Sequence, residues 1–187
     1  MKMLFSAAGA LILAGSSYFA WNWLRVDSCL DRGGMWAGPM GCQMSLPKVD
    51  RILIDKSDRT LIAFAGGKAV ATMKVALGRD PAGQKQREGD NRTPEGIYPI
   101  ILHKADSGYH RALKIGYPTA FQQREARMAG VDPGGEIMIH GIRNGMGWIG
   151  SWHRTSDWTR GCIALTDGEI DWLYHSTADG TPVEITA

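Results

Sequence analysis

Beyond residue 48 the apolar positions fall in short, β-branched runs rather than at helical spacing. Arg51-Ile-Leu-Ile-Asp55 and Thr60-Leu-Ile-Ala-Phe64 are two such runs, split by the polar turn signal Lys56-Ser-Asp-Arg59. Gly66-Gly67 predicts a hairpin turn into Lys68 to Leu77, where Val70, Thr72, Lys74 and Ala76 alternate with Ala69, Ala71, Met73 and Val75. From Gly78 to Gly96 the chain turns polar and rich in Gly and Pro, which predicts a surface loop. Ile97 to Leu102 reads as a strand, with Pro99 marking an edge or a bulge. Glu136 to His140, Ile163 to Leu165 and Val183 to Ile185 predict three more strands. Gln122 to Met128 suits a short helical turn. Asp167 is placed to N-cap a helix running to about His175, with Ile170, Leu173 and Tyr174 on one face. Many strands with one clear helix predict a mostly β, mostly antiparallel fold with a minor α part.

The first residues follow another pattern. Met3 to Leu24 carry no charge and lie between Lys2 and Arg25. That stretch is long enough to cross a hydrocarbon core of roughly 30 Å as a helix. Ser16 stands where a lipidated cysteine would be needed, and Tyr18 spoils the best cleavage site before Ala20. Trp21 and Trp23 suit a membrane–water interface. The expectation is an N-terminal transmembrane signal anchor, with a cleaved signal peptide as the alternative; both export the remainder. The predicted organisation is therefore 1–25 anchor or signal, 26–47 linker with the Cys29–Cys42 loop, and 48–187 a single domain of catalytic size.

Cysteine usage agrees with export. Of three cysteines, Cys29 and Cys42 bracket a Gly-rich stretch that can fold back on itself. In an oxidising compartment a disulfide between them would stabilise that loop by about 3 kcal/mol in the chain-entropy model. A zinc site is the rival, but no second Cys or His pair stands nearby at ligand spacing. Cys162 is left over. The formal net charge is +2, and without the first 25 residues it is zero. A chain with no cationic excess is not built to bind nucleic acid.

His140-Gly141 ends a predicted strand, and Gly161-Cys162-Ile163 follows 22 residues after the histidine. A thiol nucleophile needs a base within reach and donors for an oxyanion. His140 is the candidate base, which would give a thiolate at neutral pH. Gly161 permits close backbone approach, and N–H groups around it would form the oxyanion hole. Each residue alone has a bland reading: a structural histidine, a core cysteine. A zinc hydrolase on His140 and Cys162 lacks a third ligand.

Glu88-Gly89-Asp90 with Thr93-Pro94-Glu95-Gly96, Ile139-His140-Gly141, and Asp157-Trp158-Thr159-Arg160-Gly161-Cys162-Ile163-Ala164-Leu165 together resemble the L,D-transpeptidase catalytic domain of YkuD type. The resemblance runs from about Val49 to the C-terminus. It implies an L,D-transpeptidase-like β-sandwich, a periplasmic or cell-wall location, peptidoglycan stem peptides as substrate, and neither cofactor nor metal. It implies Cys162 as nucleophile, His140 as general base and acid, and the Gly141 carbonyl as the group orienting His140. Thr159 and Arg160 stand where the common family pattern has Ser-His, and Ala164 replaces an arginine. This is similar to a subgroup with Asp-Trp-Thr-x-Gly-Cys-Ile-Ala-Leu, some of whose members resemble hydrolases of cross-links or of wall-bound lipoprotein. Arg160 is a candidate for binding a substrate carboxylate or supporting the thiolate, or is a solvated loop residue. Thr159, Trp158 and His153 are further candidates for substrate contact, and Trp148 and Trp152 either line a groove or pack their own loop. Arg92 and Thr93 are expected to shape a turn. Three functions follow: transfer to an amine, hydrolysis on the same site, or a wall-binding module with an inactive thiol.

Overall fold

The structure, a computed structural model, describes residues 24–26, 35–36, 41–43 and 46–187. Residues 1–23 of the expected anchor, and Cys29 of the expected disulfide, lie outside the described residues. Among those described, no helix is long and apolar enough to cross a membrane. In the unit ending at Ser45, β1 (Met35–Trp36) and β2 (Cys42–Gln43) pair antiparallel, with Trp36 opposite Cys42. Cys42 is disulfide-bonded, whereas Cys162 is a free thiol.

Leu46–Ala187 forms a unit of its own on an eight-stranded sheet. Its strands are β3 (Arg51–Asp55), β4 (Thr60–Ala65), β5 (Lys68–Lys74), β6 (Gly96–Ser107), β7 (His110–Ile115), β8 (Met138–His140), β9 (Ile163–Ala164) and β10 (Pro182–Thr186). They lie in the order β5-β4-β3-β10-β6-β7-β8-β9. In β3, Ile52 and Ile54 are fully buried while the residues between them are half-exposed, the period-2 alternation that specifies one core face. Gly66 and Gly67 both have positive φ, 56° and 76°, which a two-residue hairpin turn between β4 and β5 requires. Most neighbours are antiparallel, but β10 joins β3 in parallel and β9 joins β8 in parallel.

The long β6 serves two partners. Its Gly96 to Pro99 pair with β10, and from Ile100 onward it pairs with β7 across a register shift between Ile100 and Leu102. Pro99 thus sits where the strand passes from one neighbour to the next. Past β5, Ala76 exchanges both backbone hydrogen bonds with Ala164 of β9, at 3.0 and 2.8 Å. The two ends of the strand order therefore meet, and the sheet wraps around one core. Ile52, Ile54, Leu61, Tyr98, Ile100, Leu113, Ile115, Ile139 and Ile163 fill it, each less than 2% exposed. Each contributes roughly 1.5–3 kcal/mol of burial.

Helix α1 (Ala120–Met128) is longer than the predicted turn and starts at Thr119, whose hydroxyl accepts the Gln122 N–H while the Gln122 side chain accepts the Thr119 N–H. Helix α2 (Asp167–Ser176) corrects the predicted cap. Thr166 is the N-cap, and the Glu169 carboxylate accepts both its N–H and its hydroxyl, at 3.0 and 2.6 Å. That leaves the Asp167 carboxylate free for a different task. The buried face of α2 is Ile170, Trp172 and Leu173, with Tyr174 turned half outward. Strand β7 lies outside the predicted set: Lys114 and Arg111 interrupt its apolar run and hide the pattern.

Candidate active site

Three short segments build the site: the end of β8, the turn entering β9, and the loop 78–96. The first two are set by register. Ile139 lies opposite Ile163 and His140 opposite Ala164. Cys162, one step before β9, continues that register opposite Met138, so it shares a face with His140 as its diagonal neighbour. Both side chains line one cleft of about 1010 Å³.

The turn carrying Cys162 is strapped down from its own side. Asp157 Oδ1 accepts the Leu77 N–H at 2.9 Å, Thr159 N donates to Leu77 O at 3.1 Å, and Arg79 N donates to Thr159 O at 3.1 Å. The Thr159 hydroxyl donates to Cys162 O at 2.7 Å and accepts the Gly161 N–H at 3.0 Å. Thr159 is buried, so its hydroxyl is spent on the turn. Gly161 adopts φ 128°, and a Cβ there would stand 2.6 Å from Arg92 O. Only glycine fits this crossing of two backbones. The Gly161 N–H, an expected oxyanion donor, is instead taken by the Thr159 hydroxyl.

The loop 78–96 is held from within. Thr93, fully buried, accepts the Gly78 N–H at 3.1 Å, which agrees with the predicted turn-shaping role. Lys56 Nζ, also buried, donates to Gly83 O, Thr93 O and Glu95 Oε1. Asp90 gathers Lys85 Nζ at 2.7 Å and the N–H groups of Gln86, Arg87 and Arg92. Burial alone would raise the Asp90 carboxyl, but the Lys85 ammonium and those amides outweigh it and pull it down to about 2. A carboxyl lowered this way stabilises the fold above its unfolded value near 4, and that stability is lost as pH falls toward 2. Asp90→Ala leaves the Lys85 ammonium, whose side chain is 3% exposed, without its counter-charge. The expected loss is about 2–3 kcal/mol in urea unfolding, with the acid-induced part of the unfolding curve shifted upward in pH.

His140 is 5% exposed and ringed by aromatics. Tyr109 lies at 4.7 Å between ring centroids and Trp158 at 5.7 Å, edge-on. Tyr109 comes from the tight turn between β6 and β7. Asn144 clasps that turn: Oδ1 accepts the His110 N–H at 2.7 Å, and Nδ2 donates to Ser107 O at 3.0 Å. His140 Nδ1 lies 2.7 Å from Gly141 O, the contact the resemblance implies. A carbonyl only accepts, so Nδ1 carries the proton and Nε2 presents a lone pair.

The thiol donates to Glu136 O at 3.5 Å rather than to the imidazole. Burial pushes the Cys162 thiol up, against an opposing backbone hydrogen bond from Met138. Burial likewise pushes His140 down, partly offset by Gly141 O. Both shifts favour the uncharged forms. The expectation of a resting thiolate is therefore corrected: the pair rests as thiol and neutral imidazole, because a low-dielectric cleft penalises both ions.

The remaining candidates divide. Trp158, Thr159 and Arg160 line the cleft, and Arg79 beside them was not singled out by sequence. His153 is corrected: it does not line the cleft but is buried behind Trp158, edge-on at 6.4 Å. Burial and the Arg154 charge hold it down to about 4, so it is neutral at physiological pH. Trp148 and Trp152, on the 3-10 turns of Gly147–Thr155, are 83% and 79% exposed and neither line the cleft nor pack their loop. Tyr109 carries no local sequence signal, because it meets His140 only once the hairpin tip is placed over β8.

The profile of the YkuD family, the L,D-transpeptidase catalytic domain, matches residues 49–185. YafK of Escherichia coli strain K12, described as a candidate L,D-transpeptidase, is 34% identical over 129 residues, which cover 66% of this chain and 45% of YafK. The crystal structure of the helical cell shape determining protein Pgp2 from Campylobacter jejuni matches with a TM-score of 0.54 at 26% identity, over 80% of this chain and 53% of Pgp2. Bd1075 of Bdellovibrio bacteriovorus has the same fold, with a TM-score of 0.53 at 24% identity over 75% of this chain and 48% of its own. This chain spans about half the length of those relatives. With its profile match across the whole wrapped sheet, the chain belongs to the YkuD family of L,D-transpeptidase catalytic domains.

Proposed function

We propose that this chain remodels peptidoglycan in the periplasm, cleaving an L,D-peptide bond of a stem peptide through a Cys162 thioester and passing the acyl group to an amine. The observation that carries the reading is the shared face of Cys162 and His140 in one cleft, with the Nε2 lone pair free to take a proton. On substrate binding the thiol turns from Glu136 O toward Nε2 and gives up its proton as sulfur attacks the carbonyl at the L-centre of a diamino acid such as diaminopimelate. The Cys162 N–H donates a hydrogen bond to the developing oxyanion. Collapse breaks the C–N bond, and the imidazolium returns its proton to the leaving D-amino-acid amine. The acceptor amine then loses a proton to His140, attacks the thioester and releases the thiol, which takes that proton back. Arg160 and Arg79 carry exposed guanidiniums into the cleft with no ion pair among the described residues, and either fork suits a stem carboxylate. The membrane anchor, the Cys29–Cys42 pairing and a wall-linked lipoprotein as acceptor or substrate belong to the same reading.

A second reading, hydrolysis, is favoured by one feature. Trp148 and Trp152 stay outside the cleft, so of these three tryptophans Trp158 alone is placed to screen the thioester from water. Digestion of peptidoglycan with the full-length protein, with and without an added amine, separates the readings by muropeptide analysis. New 3-3 cross-links or amine adducts report transfer, and shortened or uncoupled stems report hydrolysis. Unchanged muropeptides would contradict both and leave a wall-binding module.

A further inference from the structure

The mechanism uses the Gly141 carbonyl but leaves open what holds that carbonyl in place. The peptide joining Gly141 to Ile142 has hydrogen bonds at both ends. Its oxygen faces His140 Nδ1 at 2.7 Å, and its N–H donates to Asp167 Oδ1 at 2.8 Å. A trans peptide is planar with C=O and N–H pointing oppositely, so fixing one end fixes the other. A carboxylate on the N–H also polarises the carbonyl, strengthening its pull on Nδ1–H.

The surroundings are shaped for this carboxylate. A Cβ on Gly141 would stand 2.8 Å from Asp167 Oδ1, and a Cβ on Gly147 would overlap Asp167 Oδ2. Two glycines from the segment after β8 therefore leave the space that the carboxylate fills. No tight ion pair competes for it. His110 of β7 faces Oδ2 at 4.0 Å and is bound more closely to Asp171 at 2.9 Å. Asp171 also holds Arg111 at 3.2 Å, and Glu169 is taken by Thr166 and Arg154. Beside His140 stand Cys162, Tyr109 and the neutral His153, and the charged groups that share its cleft are Arg79, Lys85, Glu88, Lys104, Glu136 and Arg160.

We infer that Asp167 is a positioning residue for His140, acting through the Gly141–Ile142 peptide. The arrangement is a nucleophile, a base and a carboxylate in series, with a backbone amide as the third link. It rests on the proposed Cys162–His140 pair and adds the residue that orients it. Asp167 touches neither substrate nor sulfur; its effect falls on the turnover step, when His140 becomes charged.

The test uses Asp167→Asn, which keeps an oxygen for the Ile142 N–H but loses the charge, and Asp167→Ala, which loses both. In the full-length protein, kcat is expected to fall roughly ten- to a hundredfold for alanine and less for asparagine, with KM changed by less than about twofold. The second readout is independent of turnover: the His140 imidazole is titrated by NMR in a Cys162→Ala background. Removing a negative charge disfavours imidazolium, so its midpoint should drop by about half a unit or more in Asp167→Asn. A lowered melting temperature with an unmoved His140 titration would make Asp167 merely structural and overturn the inference, as would unchanged kcat in both variants. Should Cys162→Ala itself retain activity, the proposed catalytic pair fails, while the titration still reports whether Asp167 is coupled to His140.

Discussion

Cys162→Ala is expected to lower kcat by about 10⁴-fold or more while leaving the melting temperature and substrate binding close to wild type. The chemical reason is that the second substrate is never activated unless an acyl group is first held as a thioester. Alanine offers no atom to hold it. The fold tolerates the change because the sulfur makes only weak hydrogen bonds, a 3.5 Å contact to Glu136 O and one from the Met138 backbone. Its turn is held instead by Thr159, Gly161 and Asp157. Cys162→Ser tests the same point more severely. It preserves shape and the hydrogen bond, yet an alcohol is a far weaker nucleophile beside a single buried imidazole. Serine should therefore lose nearly as much as alanine. Stem-peptide release followed by chromatography measures all three proteins.

His140→Gln should lose about 10³-fold in kcat/KM or more. Glutamine can still donate to Gly141 O and fill the space between Tyr109 and Trp158, but it cannot accept the thiol proton. The pH profile identifies the step. Protonated His140 cannot act as a base, and burial places its titration below the usual 6.5. Wild-type kcat/KM is therefore expected to be flat through neutrality and to fall only on the acid side of 6.5. In the glutamine variant that acid limb disappears. What activity remains should climb toward alkaline pH with thiol ionisation, which burial holds above 9.0. A wild-type acid limb that survived in the variant would assign it to another group.

Much of the scaffold was readable from pattern because one face of each strand is buried. Ile52 and Ile54 alternate with half-exposed neighbours, and Gly66-Gly67 sits at the only backbone geometry its turn allows. Cys162 and His140, the proposed nucleophile and base, stand out in the sequence because both flank apolar runs beside glycine. Strand β7 was not readable, since Arg111 and Lys114 put a charge on each of its two faces, where they meet Asp171 and Glu136, and so break its alternation. Thr166 and Asp167 stand side by side and both residue types favour the N-cap, so local sequence does not choose between them. Tyr109, Arg79 and Asp167 owe their places at the site to a hairpin tip, a backbone bridge and a peptide plane. None of those leaves a mark on local periodicity. The charge state of the pair was also out of reach, because it depends on how deeply the cleft buries both groups.

In the proposed reaction the acyl group of the stem is carried on Cys162. Rapid acid quench of the full-length protein during turnover of a tetrapeptide stem, followed by peptide mass spectrometry, measures it directly. The expected result is a mass increase equal to the stem acyl group on the fragment containing Cys162, present in wild type, strongly reduced in His140→Gln and absent in Cys162→Ala. Turnover with no adduct on that fragment, or an adduct that persists in Cys162→Ala, would contradict it.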